Sequence, residues 1–138
     1  MDFTSLLAFK KSFQLAMRIF EISKSFPIEE KYSLTDQIRR SSRSVPANIA
    51  EAYRKRAYPK HFTSKLSDSD AENSETFTWL LFANKCNYIN SEIFQELSNE
   101  IEEVGKLTHF MMNNPSKFGV KLKFQVAKST GIPLIFKF

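Results

Sequence analysis

The chain has 138 residues, few of them glycine, and a formal net charge of +5, which suits one domain with a core of its own. Its single cysteine, Cys86, excludes an intrachain disulfide and a cysteine-based zinc site, and fits a reducing cytoplasmic setting. The opening "MDFTSLLAFKK" does not read as a signal peptide, and the densest apolar run, "WLLFA", is too short to span a bilayer, so no membrane partner is expected.

The first predicted helix runs from about Ser5 to Ser25. Leu6, Phe9, Phe13, Ala16, Met17 and Phe20 recur at three- and four-residue steps and are expected to face the core. Phe26-Pro27 ends this helix. The second begins after Ser33, where "SLTD" has the spacing of a capping box between Ser33 and Asp36. Its inner stripe is Leu34, Ile38, Ser41, Ser42, Val45, Ile49, Ala52 and Tyr53, and its small serines would admit a neighbouring helix closely. Pro46 predicts a kink or break near Ser42 to Val45, and "AYPKH" ends the segment.

The third helix is expected over about Lys60 to Asn87, with Phe62, Leu66, Ser69, Asn73, Thr76, Phe77, Leu80, Leu81 and Asn84 on one broad face. Its second half, "FTWLLFA", is apolar nearly all round and asks for cover on several sides. Ser91 is the expected cap of the fourth helix. Ile93, Phe94, Leu97, Ile101, Val104, Leu107, Thr108 and Met111 line that helix up to the stop at "NNP". Four amphipathic helices with short connections predict an all-α, up-down-up-down antiparallel bundle over residues 1–114. The tail, 115–138, is basic. "VKLKFQVA" and "IPLIFKF" alternate around "KSTG" as a hairpin would, and whether the tail docks, pairs or moves freely stays open.

Charge is segregated along the chain. Residues 1–114 are neutral, and the excess lies in five tail lysines. From Arg39 to Lys60 there are seven basic residues and one acid; from Leu66 to Glu103 there are nine acids and one base. This asymmetry predicts either a basic surface for a polyanion or basic and acidic surfaces that meet between subunits.

The stretch "FPIEEKYSLTDQIRRSSRSVPANIAEAYRKR" resembles the signature of the four-helix-bundle proteins encoded within 23S rRNA intervening sequences. Gln37, Ile38, Arg39, Arg40, Ser44, Pro46, Asn48, Ile49, Ala50 and Glu51 carry the match. "HFTSKLSDSDAENSETFTWLLFANKCNYI" and "NPSKFG" extend it, so that it covers about Phe9 to Gly119. Ala52 stands where many members have glycine, and the tail has no counterpart. The resemblance implies a bundle that assembles as a homopentamer, with no established enzymatic activity. Related accessory proteins of diversity-generating retroelements are basic pentamers that bind a reverse transcriptase and nucleic acid.

Two readings of the basic helix follow. Arg39, Arg43, Arg54, Lys55, Arg56 and Lys60 are candidates for phosphate contacts with RNA or DNA, directly or beside a nucleic-acid-bound protein. Arg40, Ser44, Pro46, Asn48 and Glu51 are candidates for a structural or assembly network. The alternative to nucleic-acid binding is a protein-binding or ribosome-associated scaffold without such contact.

Other sites are weak. "SDSDAENSE" lacks the turning glycine and distal glutamate of a calcium loop, and neither His61 nor His109 belongs to a Glu-x-x-His pair. Asp68, Asp70, Glu72 and Glu75 read instead as a solvated face or a partner for basic residues of another subunit. Cys86 reads as a small buried packer, and Trp79 with Phe77 and Phe82 as packing rather than a platform for bases. With no Gly-rich phosphate loop, catalytic triad or zincin motif, neither catalysis, a cofactor nor a small-molecule substrate is expected.

Overall fold

Small side chains set how closely these helices pack. In a computed structural model describing residues 2–121 and the backbone of 123–126 and 133–136, four helices form an all-α bundle: α1 (Leu7–Ser23), α2 (Leu34–Arg54), α3 (Pro59–Lys85) and α4 (Ser91–Asn113). Short 3₁₀ turns lie at Phe3–Ser5, Ile28–Glu30 and Pro115–Phe118. Each helix packs on its neighbours in sequence, and α1 also closes against α4. The strands β1 (Lys123–Val126) and β2 (Pro133–Phe136) pair antiparallel, Phe124 opposite Ile135. The "KSTG" turn expected between them lies outside the described residues.

The core is built from Ile38, Ile49, Phe62, Leu66, Leu80, Leu97 and Val104, all at or near complete burial. Between α2 and α3 the seam is polar and tight. Ser41 and Ser69 are fully buried; Thr76 Oγ1 donates to Ser41 Oγ at 2.9 Å, and Ser69 Oγ donates to the Val45 carbonyl at 2.9 Å. Buried hydroxyls of this kind are tolerated because each finds an acceptor.

The inner faces of α2 and α4 follow the predicted stripes. That of α1 does so only at Leu6 and Ala16, which are buried as expected. Ala8, Ser12, Leu15, Ala16, Ile19 and Ser23 are buried, while Phe13 and Met17 are about half exposed. Two stripes of helical period coexist in this helix, about 110° apart. The smaller one wins the core because Ser12, Ala16 and Ser23 let α1 approach the equally small inner face of α2. Phe9, Phe13, Met17 and Phe20 are left on the flank of α1 that adjoins α2. In α3, likewise, Leu81 and Phe82 are exposed rather than covered.

Several local expectations are corrected. Pro46 does not break α2, which runs as one helix from Leu34 to Arg54 with the proline buried. The missing donor and ring clash are outweighed by packing of α2 against α3. Ser33 does not pair with Asp36. Its hydroxyl donates to Glu30 Oε1 at 2.7 Å, and the same oxygen accepts from the Leu34 N–H at 3.5 Å, so an acid from the preceding turn serves the start of α2. The cap of α4 is Asn90, not Ser91: Asn90 Oδ1 accepts from the Ile93 N–H at 2.8 Å. α3 ends in a Schellman turn, with Asn87 at φ 61° and the Tyr88 N–H donating to the Ala83 carbonyl at 2.9 Å. That turn carries Cys86 out of the bundle, so the cysteine is exposed, not buried.

Candidate functional site

The bundle uses much of its charge internally. Helices α1 and α2 together carry seven Lys and Arg against three Asp and Glu; α3 and α4 carry four against nine. These halves are zipped by ion pairs along both seams. Arg18 on α1 binds Glu96 and Glu100 on α4, and Lys11 reaches Glu103 at 3.5 Å. On α2, Arg40 donates to Glu75 at 2.6 Å and to both oxygens of Glu72 at 3.3 Å, while Glu51 accepts from Lys65 at 2.9 Å. The pair Glu72/Glu75 is thus occupied within the chain. Its two carboxyls are pushed apart: Glu75 is held below the usual carboxylate range by the Arg40 guanidinium, whereas desolvation raises Glu72.

Of the signature residues, Arg40 and Glu51 make these α2–α3 bridges. Ser44 and Asn48 instead bond back to their own helix, at the carbonyls of Arg40 and Ser44. Among the described residues of the single chain the four do not join in one network, because Ser44 and Asn48 each reach the preceding turn of their own helix.

The six basic candidates divide into two places. Arg39 and Arg43 lie on the α1 side of α2. Arg39 Nε donates to Ser23 Oγ at 2.7 Å, and both guanidinium groups lie over the Phe20 ring, at 4.7 and 5.2 Å. Arg54 is eleven residues further, about 16 Å along the helix. Its guanidinium sits over Phe3 at 5.7 Å. Phe3 packs edge-on against Phe9 at 5.1 Å, which stacks on Phe13 at 5.8 Å. A row of rings therefore runs along this flank between the two groups of arginines, a pattern suited to cation–π contact.

The second place is the end of the bundle where α1 and α3 begin and α2 and α4 finish. Arg54, Lys55, Arg56 and Lys60 come from the α2–α3 turn, and the chain returns there after α4 with Lys117 and Lys121, both exposed. Arg56 ties the two segments together. It lies 3.7 Å over Tyr53, donates Nε to the Tyr53 carbonyl at 2.7 Å, and directs Nη1 to the Phe118 carbonyl at 3.5 Å. Gly119, at φ 88°, suits this closure; a β-carbon there would come within 3.0 Å of Arg56 Nη1. Asp2 borders this pole, beside Arg54 and Arg56. Sequence order conceals the part played by Lys117 and Lys121, whose only signal is a run of tail lysines.

A third feature is a groove of about 740 Å³ between α3 and α4. Asp70, Gln95, Asn99, Glu102 and Lys106 are among its walls, and Asn73 and Gly105 meet within it. Asn73 donates Nδ2 to the Ile101 carbonyl at 2.9 Å, leaving its buried Oδ1 without a donor. His109 pairs with Asp70 at 3.3 Å on the rim, and His61 meets the edge of Tyr58. Among the described residues, no group of three or more His, Cys, Asp or Glu is placed to hold a metal ion, and no helix is long and apolar enough to cross a membrane.

Fold and surface together define a four-helix bundle with ion-paired seams, a basic pole and an aromatic flank. The chain belongs to the family described as 23S rRNA-intervening sequence protein, whose model matches residues 4–109. A similar solved structure is a protein of unknown function from the S23 ribosomal protein family of Bacteroides thetaiotaomicron. It is 30% identical, covers 78% of this chain and 96% of its own, and has a TM-score of 0.71. No curated protein matches the chain.

Proposed function

We propose that the protein is a non-catalytic, self-assembling interaction module, cytoplasmic, that holds RNA or DNA at its basic pole. The observation that carries this reading is the convergence of Arg54, Lys55, Arg56 and Lys60 with Lys117 and Lys121 from a distant part of the chain. Such a cluster attracts phosphates without selecting bases. Elsewhere basic side chains such as Lys11, Arg18, Arg40 and Lys65 are already held by carboxylates, which supports a structural use of charge along the seams and a binding use at the pole. Arg39 and Arg43 belong to the flank and are assigned to assembly, for which the family resemblance implies a pentamer.

Fluorescence anisotropy with labelled single-stranded RNA, DNA and duplexes across a salt series tests this reading. With six phosphate contacts, affinity is expected to fall roughly 300- to 2,000-fold from 50 to 200 mM salt. The double substitution Lys117→Glu with Lys121→Glu is expected to weaken binding of every sequence alike. Absence of binding at low salt would sink the proposal and leave the protein-binding scaffold.

A further inference from the structure

The end of the bundle opposite the basic pole, where α1 and α3 finish and α2 and α4 begin, carries a different surface. A cavity of about 410 Å³ opens there between the turn before α2, the first residues of that helix and the last turns of α3. Tyr32, Trp79 and Phe82 give it three aromatic walls, and Glu30, Ser33 and Gln37 give it polar ones. Tyr32 is 84% and Phe82 53% exposed, and the Phe82 ring lies 5.9 Å from that of Trp79. A concave, largely apolar site with a few placed polar groups has the make-up of a ligand pocket.

Among the described residues that line this cavity, Glu30 is the charged one. Its carboxylate is fixed in place. Oε1 accepts from Ser33 Oγ at 2.7 Å and from the Leu34 N–H at 3.5 Å, and Oε2 accepts from the Tyr88 hydroxyl at 2.9 Å. A carboxylate offers about four acceptor directions, so one remains on Oε2. Glu29 and Lys31 flank Glu30 and Lys85 precedes Cys86, but none of the three lines the cavity. Gln37 is engaged by Arg40 at 3.3 Å, and the charge of Arg40 is met by Glu72 and Glu75. An occupant therefore meets one oriented negative charge and three rings. Ring faces attract cations, and Tyr32 already has Lys31 Nζ 5.2 Å from its centre.

We propose that this cavity seats an arginine side chain of a partner protein, its guanidinium laid against the Tyr32, Trp79 and Phe82 rings and donating to Glu30. Arginine fits better than lysine, because its planar, weakly hydrated head stacks on ring faces and donates along a fork. The carboxylate selects it over a neutral planar group of the same shape. The tail of this chain is not the occupant, since residues 115–138 hold lysines and no arginine. The contact depends neither on nucleic-acid binding at the basic pole nor on self-assembly.

Trp79 is the chain's one tryptophan, so its indole N–H resonance and its fluorescence report on the cavity directly. The probes are the peptide acetyl-Gly-Arg-Gly-amide and its neutral counterpart with citrulline in place of arginine, each titrated onto full-length protein. The arginine peptide is expected to shift the indole resonance and to saturate at roughly millimolar concentration, with the citrulline peptide about 10-fold weaker. Tyr32→Ala, at a site outside the core, is expected to weaken the arginine peptide roughly 2- to 30-fold. Glu30→Gln is expected to bring it down to the level of the citrulline peptide. Circular dichroism melts verify folding. Glu30 also serves the start of α2, so Tyr32→Ala decides where Glu30→Gln melts early. An indole resonance that stays in place at saturating peptide, equal binding of the two peptides, or unchanged affinity in Tyr32→Ala overturns the proposal. Light scattering tests the source of the arginine. A lower assembled mass in Tyr32→Ala would give the cavity to a second copy of this chain and overturn the assignment to a partner protein.

Discussion

Arg40 Nη2 and Glu75 Oε2 meet at 2.6 Å across the α2–α3 seam, within a single chain. The side chains are 45% and 35% exposed, so solvent screens the pair. Arg40→Met is expected to lower stability by about 0.5–1 kcal/mol in a denaturant titration. It is expected to leave the assembled mass unchanged, because both carboxylate partners belong to the same protomer. A mass that fell to the monomer's would show that this arginine also serves a subunit contact.

The two stripes of α1 make opposite predictions. Ile19 is 2% exposed, and Ile19→Ala is expected to cost about 2–5 kcal/mol of stability. Phe13→Ser is expected to cost less, about 1 kcal/mol when measured on monomer, since Phe13 is half exposed and loses chiefly its stacking on Phe9. Equal destabilisation by both would mean that the phenylalanine stripe is buried after all.

The fold was legible in the sequence wherever one stripe stood alone. In α2, a single set of apolar and small residues at helical spacing leaves no rival face. In α1, aromatic and aliphatic-small stripes compete, and hydrophobicity favours the wrong one. What decides is closeness of approach, which depends on Ser12 and Ser23 meeting a partner helix that a one-dimensional reading does not place. The basic site was legible in part. Residues 54–60 are contiguous, but their union with Lys117 and Lys121 depends on where α4 ends. The segregation of charge was visible, whereas its use within the chain was not, because Arg40 and Glu75 are 35 residues apart.

At the start of α4, Asn90→Ala is expected to cost about 1 kcal/mol, through loss of the acceptor for the Ile93 N–H. Ser91→Ala is expected to be nearly neutral. A thermal melt of the two variants beside the parent decides which residue caps.

Tyr88 and Glu30 give a pH-dependent signature. The Tyr88 hydroxyl donates to Glu30 Oε2 at 2.9 Å, and this bond pushes the phenol up to about 12. The same carboxylate is held below its ordinary range, first by Ser33 and then by Tyr88. For the phenol, whose folded value is raised, the stabilisation is complete below about pH 10 and is lost as pH rises towards 12. For the carboxylate, whose folded value is lowered, it is present above the unfolded value and lost as pH falls through the folded one. Ultraviolet titration is expected to show one late-ionising tyrosine that disappears in Tyr88→Phe. Retention of the late phase in that variant would assign it to another tyrosine.

Cys86, on the surface after the turn of α3, is expected to react with a thiol reagent in the native protein at a rate unchanged by mild denaturant. Reaction only after unfolding would contradict the exposed placement.

The serine seam between α2 and α3 has a consequence for how this chain can vary. Ser41 and Ser69 are fully enclosed, and each is held by or holds an atom of the opposing helix. Such positions act as a sieve on side-chain volume: glycine, alanine, serine and cysteine pass, and anything larger forces the helices apart. The outward phenylalanines of α1 face no such limit within one protomer. Sequence drift in this bundle should therefore run in opposite directions on its two sides, frozen by size where it is polar and free in size where it is aromatic.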